Sequence, residues 1–306
     1  MFYYRAYGLN IRSDFPLPEL LEGGDGGDLY IQKGTVKLPA LTKTIIRRQG
    51  KESWFGGTNE EAYLFWQGVV KILAKDGCTL IVEPVNEQID PKFLSLYILS
   101  EALGIILFQK GLLLIHASAI KIGSQAIVFV GNAGIGKSTT AAAFAKRGHT
   151  VLTDDMVAIK VDKSTAIQVI PGFPQIKIWP PSVEGLGYNS EALTPLFSGS
   201  RKRVIQQREN FPEKSISLSQ LFFLNRGEQL KITPMNQVET MLLLRAYFPC
   251  PYKLLQGTAQ KDHFRQCTQL LNQIKVSKIE RPDNFEVLNQ LITQIETELM
   301  AANILW

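Results

Sequence analysis

Hydrophobic positions change character three times along the chain. Through residues 1–90 they fall in short runs rich in β-branched and aromatic residues: Phe2–Ile11, Leu29–Gln32, Thr42–Arg47, Ala62–Val70 and Thr79–Val82. Turn clusters such as Glu22 to Gly27 and Gly56-Gly57-Thr58-Asn59 separate them, which predicts an antiparallel β-rich module. The spacing then becomes helical. Asp90-Pro91 opens a segment with Phe93, Leu96, Leu99, Leu103, Ile106 and Leu107 on one face. Two apolar runs follow, Leu112–Ile120 and Ala126–Val130, either side of a Gly-Ser turn. The second feeds a glycine-rich loop and an alanine-rich helix, Ser138–Lys146, with Gly148 placed to end it. Strands are expected at Thr150–Leu152, Met156–Val161 and Leu221–Leu224, and helices at Val238–Tyr247, Asp262–Ile274 and from Asp283 onward. The segment Pro171–Pro181, with four prolines, reads as irregular, and Arg201–Arg203 as a surface loop. The domain reading is a β-rich module over 1–90 and a second domain over 91–306.

Composition narrows the classes. With 306 residues, 45% hydrophobic and 20% charged, the chain is of ordinary globular make-up, which excludes disordered, collagen-like and coiled-coil proteins. A net charge of +5 is too small and too scattered to announce nucleic acid, yet suits a phosphate-bearing ligand. Cys78, Cys250 and Cys267 form no CxxC pair and read as reduced core thiols of a cytoplasmic protein. No basic segment followed by an apolar run opens the chain, so no signal peptide is expected. The most apolar stretch, 93–120, is broken by Glu101, Gln109-Lys110-Gly111 and His116, short of the ~18 uninterrupted apolar residues of a membrane span. A soluble protein is expected.

The residues Gly131-Asn132-Ala133-Gly134-Ile135-Gly136-Lys137-Ser138 fit G-x-x-x-x-G-K-[ST] at every defined position. Glycines let successive backbone N–H groups turn toward phosphate oxygens, and the helix that follows adds its positive end. Lys137 would reach the β- and γ-phosphates, Ser138 would ligate Mg²⁺, and Thr139 completes the nucleotide-binding stretch. A strand before and a helix after are the context the motif needs. Sixteen residues beyond Ser138 stand Asp154 and Asp155, after a strand expected to lie beside the loop strand. Adjacent carboxylates there can serve one as a metal ligand and one as proton acceptor; by themselves they could equally be an acidic turn. His116, inside an apolar run, reads by pattern as a core residue, and His149 and His263 read as structural.

The block His116-Ala-Ser-Ala-Ile, then Val128 through Ser138, then Arg147-Gly-His, then Thr153-Asp-Asp-Met-Val resembles the catalytic domain of HPr kinase/phosphorylase in order and spacing. Pro171 to Pro180, Leu221-Phe-Phe-Leu and the 263–283 region are similar to HPr-kinase-like proteins of bacterial biosynthetic clusters, including kinases of lasso-peptide precursors. So is the start, Tyr-Arg-Ala-Tyr-Gly-Leu-Asn-Ile. The resemblance implies an α/β fold of the HPr kinase and phosphoenolpyruvate carboxykinase type and phosphoryl transfer to a serine hydroxyl. Carried over, it implies Lys137 and Ser138 at phosphate and Mg²⁺, Asp154 as candidate base, Asp155 as the metal-side or orienting carboxylate, and His116 beside them. Two departures stand out. Thr139 follows Ser138 where the family has glutamate, and Ala117-Ser118 follows His116 where the family has Gly-Val. They argue against phosphorylase activity and against HPr as substrate.

The reading is therefore an ATP- and Mg²⁺-dependent kinase acting on a serine of a peptide or small protein. Its partners would be nucleotide and acceptor, with no nucleic acid or membrane and with a homo-oligomer left open. Lys177, Arg203 and Arg245 are candidate acceptor or phosphate clamps, each also readable as a surface charge. The alternatives are a small-molecule or carboxykinase-like enzyme, and a nucleotide sensor without transfer.

Overall fold

The computed structural model describes residues 1–162 and 166–304, with side chains described through Glu298 and Leu299 at the carboxyl end. It divides into two units, residues 1–114 with 248–267, and residues 115–247 with 268–306.

The first unit holds a nine-stranded sheet in the order Leu21–Glu22, Phe2–Ala6, Leu9–Ser13, Leu29–Lys33, Thr79–Pro84, Val70–Lys75, Glu61–Trp66, Lys51–Gly57, Thr42–Arg48. The sheet is mixed, because Leu29–Lys33 runs parallel to both Leu9–Ser13 and Thr79–Pro84. The run Phe2–Ile11 is two strands, turned at Tyr7 and Gly8, which take φ of 52° and 68°. Gly56 and Gly57 end a strand instead of forming a turn.

The unit continues past residue 90. Asp90 caps the helical segment Pro91–Gln109 by accepting from the Lys92 N–H at 2.8 Å. The segment packs on the strand Val70–Lys75, with Tyr97 edge-on to Trp66 at 5.1 Å. By length and composition it is the one helix among the described residues that could cross a membrane, but Leu94, Tyr97, Ile98, Leu103 and Ile106 are buried within the unit. Glu101, which interrupts the apolar run, is buried too. Arg48 donates to both its carboxylate oxygens, at 2.8 and 3.2 Å, and Ser100 donates at 2.6 Å.

The second unit is built on a mixed sheet. The strand Gln125–Val130 lies between Ala117–Ile122, antiparallel to it, and Ile216–Arg226, parallel to it. Thr150–Thr153 pairs with the outer side of Ala117–Ile122, and Lys275–Arg281 runs parallel to Ile216–Arg226. A separate small sheet joins Gln175–Ile178, Arg203–Gln206 and Thr194–Pro195. The apolar core stacks Phe129 on Phe222 at 5.4 Å and tilts Phe144 against it at 5.7 Å. Ala141, Ala142 and Ala143 let the helix Lys137–Lys146 approach the sheet closely. Gly148, with φ 90°, ends that helix as expected, its N–H on the Ala145 carbonyl and the His149 N–H on that of Phe144.

The last helix, Phe285–Ile304, buries Leu288, Leu291, Ile292, Ile295 and Leu299. At roughly 1.5–3 kcal/mol per fully buried side chain, these five outweigh the partly exposed Arg147–Glu296 pair, for which about 0–1 kcal/mol is typical. Apolar burial docks the helix. His149, bonded to Glu296 at 2.8 Å, helps orient it.

The Arg48–Glu101 pair gives a stability test. Burial pushes the Glu101 carboxyl up, but the Arg48 charge and hydrogen bonds outweigh it and hold the carboxyl below its ordinary value. The pair's stabilisation is therefore complete above the ordinary carboxylate pKa and lost as pH falls through the lower folded value. Arg48→Ala strands a buried carboxylate, and urea denaturation at neutral pH is expected to show a loss of about 3–5 kcal/mol. Arg48→Met combined with Glu101→Leu is expected to lose much less.

Candidate functional site

Three parallel strands, Gln125–Val130, Ile216–Arg226 and Lys275–Arg281, finish at the same end of the second sheet, the end at which open α/β sheets hold ligands. The loop Gly131–Gly136 begins there and runs into the helix Lys137–Lys146. Gly134 and Gly136 take φ of 79° and 103°, conformations a residue with a Cβ resists. At Gly136 a Cβ would also stand 2.9 Å from Arg281 Nη2, so a side chain there would displace the guanidinium. No side chain caps the helix, so its first N–H groups face the loop. Lys137 is buried and folds back, Nζ donating to the carbonyls of Gly131 at 2.7 Å and Asn132 at 3.1 Å. Burial lowers its pKa, the charges of Asp154 and Asp155 oppose that, and Lys202 adds to it. Tyr247 holds the loop from the side, its hydroxyl donating to Asn132 Oδ1 at 3.0 Å. Thr139 pairs with Ser182 at 2.8 Å.

The aspartates do not follow a strand beside the loop strand, as expected. Ala117–Ile122 intervenes, and it supplies the connection. Asp154, only 4% exposed, accepts from Ser118 Oγ at 2.6 Å and Ser138 Oγ at 2.9 Å on one oxygen, and from the Lys177 N–H at 3.2 Å on the other. A single buried carboxylate thus joins the loop helix, the central strand and the small sheet. Burial, then the charge of Asp155, raises its pKa, while the bonds from Ser118 and Lys177 work the other way. Asp155, at φ 76°, turns outward and pairs with Lys177 Nζ at 2.7 Å.

His116 is not in mid-strand. It stands in the break between Leu113–Ile115 and Ala117–Ile122, its N–H on the Tyr247 carbonyl at 2.7 Å and its Nδ1 2.8 Å from the Asp155 carbonyl oxygen. Burial, then the Lys137 charge, holds the imidazole below its ordinary pKa. A carbonyl oxygen only accepts, so Nδ1 carries the proton and Nε2 keeps its lone pair.

The structure brings His116, Lys137, Ser138, Asp154 and Asp155 together. Of the three candidate clamps, Lys177 joins them; Arg203 bonds the carbonyls of Ser200 and Arg201, and Arg245 lies exposed on its helix. Arg201 and Lys202 stack on the half-exposed Trp179 at 5.6 and 5.1 Å. Sequence reasoning missed Ser118, Tyr247 and Arg281. Ser118 had a signal, since a hydroxyl in a buried apolar run needs a partner. The other two arrive from distant parts of the chain and had none.

Ser138 and Asp154 offer hard oxygen donors. Among the described residues no three His, Cys, Asp or Glu side chains gather, so a cation here would share its shell with phosphate and water, as Mg²⁺ does.

Over 96 residues the chain is 36% identical to the HPr kinase/phosphorylase of Clostridium beijerinckii, a stretch covering 31% of this chain and 29% of that one. It is 41% identical over 58 residues to the HPr kinase/phosphorylase of Lachnoclostridium phytofermentans, 19% of each chain. Among solved structures, the Hpr(Ser) kinase/phosphatase from Coxiella burnetii aligns at 15% identity and a TM-score of 0.30, covering 62% of this chain and 96% of that one. No family model matches. The chain spans less than a third of the length of the curated relatives it matches, and over that span it is HPr-kinase-like.

Removing the Ser118 hydroxyl takes away a bond that favours ionised Asp154. Ser118→Ala is therefore expected to move the onset of Mg²⁺-nucleotide binding, followed calorimetrically across pH, to higher pH.

Proposed function

We propose that the protein is a cytoplasmic kinase that moves the γ-phosphoryl group of ATP to a serine hydroxyl of a peptide or small protein. The observation that carries this reading is the Asp154 carboxylate, hydrogen-bonded to the Ser138 hydroxyl of the phosphate loop with Asp155 next to it. A site for binding alone has no need of a second carboxylate at that point. The similarity to HPr kinase/phosphorylases over part of the chain supports the same chemistry.

The backbone N–H groups of Ala133 to Ser138 would cradle the phosphates. Lys137 would exchange its two loop carbonyls for phosphate oxygens, which accept its charge better. Ser138 and Asp154 would hold Mg²⁺, which when bound neutralises phosphate charge. We assign the base to Asp155, the reverse of the sequence-based expectation. Asp154 is engaged by three donors and almost fully buried, whereas the Asp155 side chain, paired with Lys177, is about a third exposed and open to an acceptor. As the acceptor oxygen bonds to phosphorus and the bond to ADP breaks, the hydroxyl proton passes to Asp155. His116 positions that residue through its backbone carbonyl. Pre-set donors and a fixed in-line geometry supply the acceleration.

The test is intact-mass analysis of a library of serine-containing peptides incubated with the protein, ATP and Mg²⁺. A gain of one phosphoryl group is expected, absent with Lys137→Ala. Asp155→Asn is expected to slow transfer about 100-fold or more with ATP affinity retained, a loss that starts at the lower end of general base effects. Transfer at near-normal rate in that variant would remove Asp155 from the role of base.

A further inference from the structure

Arg281 ends the strand Lys275–Arg281 and is 5% exposed. It comes from the far end of the chain, outside the motif that defines the loop. Its Nη1 donates to the Pro282 carbonyl at 3.1 Å, and among the described residues no carboxylate lies within ion-pair distance of it. Asp283, the nearest acidic candidate, is paired with Arg226 at 3.0 Å. The other terminal nitrogen, Nη2, lies against Gly136, 2.9 Å from where a Cβ would be.

A buried guanidinium without a counter-charge in contact is costly, and the Asp283 charge, acting from beyond ion-pair distance, offsets its desolvation only in part. Burial accordingly disfavours its charged form. Such a group is retained where a ligand supplies the missing charge. Gly136 is the last residue before the loop helix, where unbonded N–H groups and the helix end already favour an anion.

We infer that Arg281 is a phosphate-binding residue of this site, its Nη2 edge taking an oxygen of a di- or triphosphate held at Gly136. The inference rests on the reading of 131–138 as a phosphate loop and adds to it a second cation. Lys137 approaches from the carbonyl side of the loop and Arg281 from the strand side. A fork of N–H donors on the second side fixes the orientation of the phosphate chain as a point charge does not.

The experiment uses the full chain and inorganic pyrophosphate and tripolyphosphate as probes, followed by thermal melting and calorimetry. Wild type is expected to melt higher with either probe. Arg281→Met is expected to melt higher than wild type without probe, because an unpaired buried charge is gone, and to bind the probes about 10–100-fold more weakly, as loss of a charge-assisted hydrogen bond implies. Arg281→Lys is expected to fall between. Arg281→Met that melts lower without probe, or no longer melts cooperatively, would assign Arg281 to the fold and overturn the inference. So would unchanged probe affinity. If wild type binds neither probe while Lys137→Ala is equally inert, the phosphate-loop reading fails and takes the inference with it.

Discussion

The second unit depends on one buried carboxylate. Asp154 has almost no solvent, and a charge in that position persists only if the protein supplies its hydration shell. It does so with Ser118 from the central strand, Ser138 from the loop helix and the backbone of Lys177 from the small sheet. Each donor belongs to a different element, so satisfying one charge also sets where three elements meet. Loss of Ser118 is felt at the start of the loop helix, because the same oxygen that receives Ser118 receives Ser138.

Around that clasp the charges alternate. Lys137 rests on carbonyls, Lys177 on Asp155, and Arg281, among the described residues, on no carboxylate within ion-pair distance. Cations therefore stand on both sides of the loop with weak protein partners, and a polyphosphate would exchange neutral acceptors for charged ones. The arrangement is poised for an anion in a way that costs stability, as functional sites commonly do. The neutral His116, below its ordinary pKa, keeps another positive charge from the edge of this cluster.

What could be read from the sequence was local. The loop 131–138, the helix after it, Gly148 at its end and the apolar face of the last helix are short-range patterns with a physical cause, and the structure has each. The capped apolar helix at 91 is likewise where its spacing put it. Strand order was not legible, since periodicity says which residues are buried and nothing about which strand is the neighbour. Hence Ala117–Ile122 was not foreseen between the loop strand and the aspartates, nor the parallel pairings of Leu29–Lys33. The break at His116 was hidden because the residues on both sides are apolar. Arg281 lies 145 positions from Gly136 in sequence, and only the parallel pairing of Ile216–Arg226 with Lys275–Arg281 brings them together.

The central claim is that Asp154 stands on the metal side of a nucleotide site. Its most direct measurement is the calorimetric affinity for ATP with and without Mg²⁺, in wild type and in Asp154→Asn. The account predicts that Mg²⁺ tightens binding in wild type and has little effect in the variant, which keeps its metal-free affinity. An Asp154→Asn protein that still binds ATP more tightly with Mg²⁺, to the same degree as wild type, would contradict it.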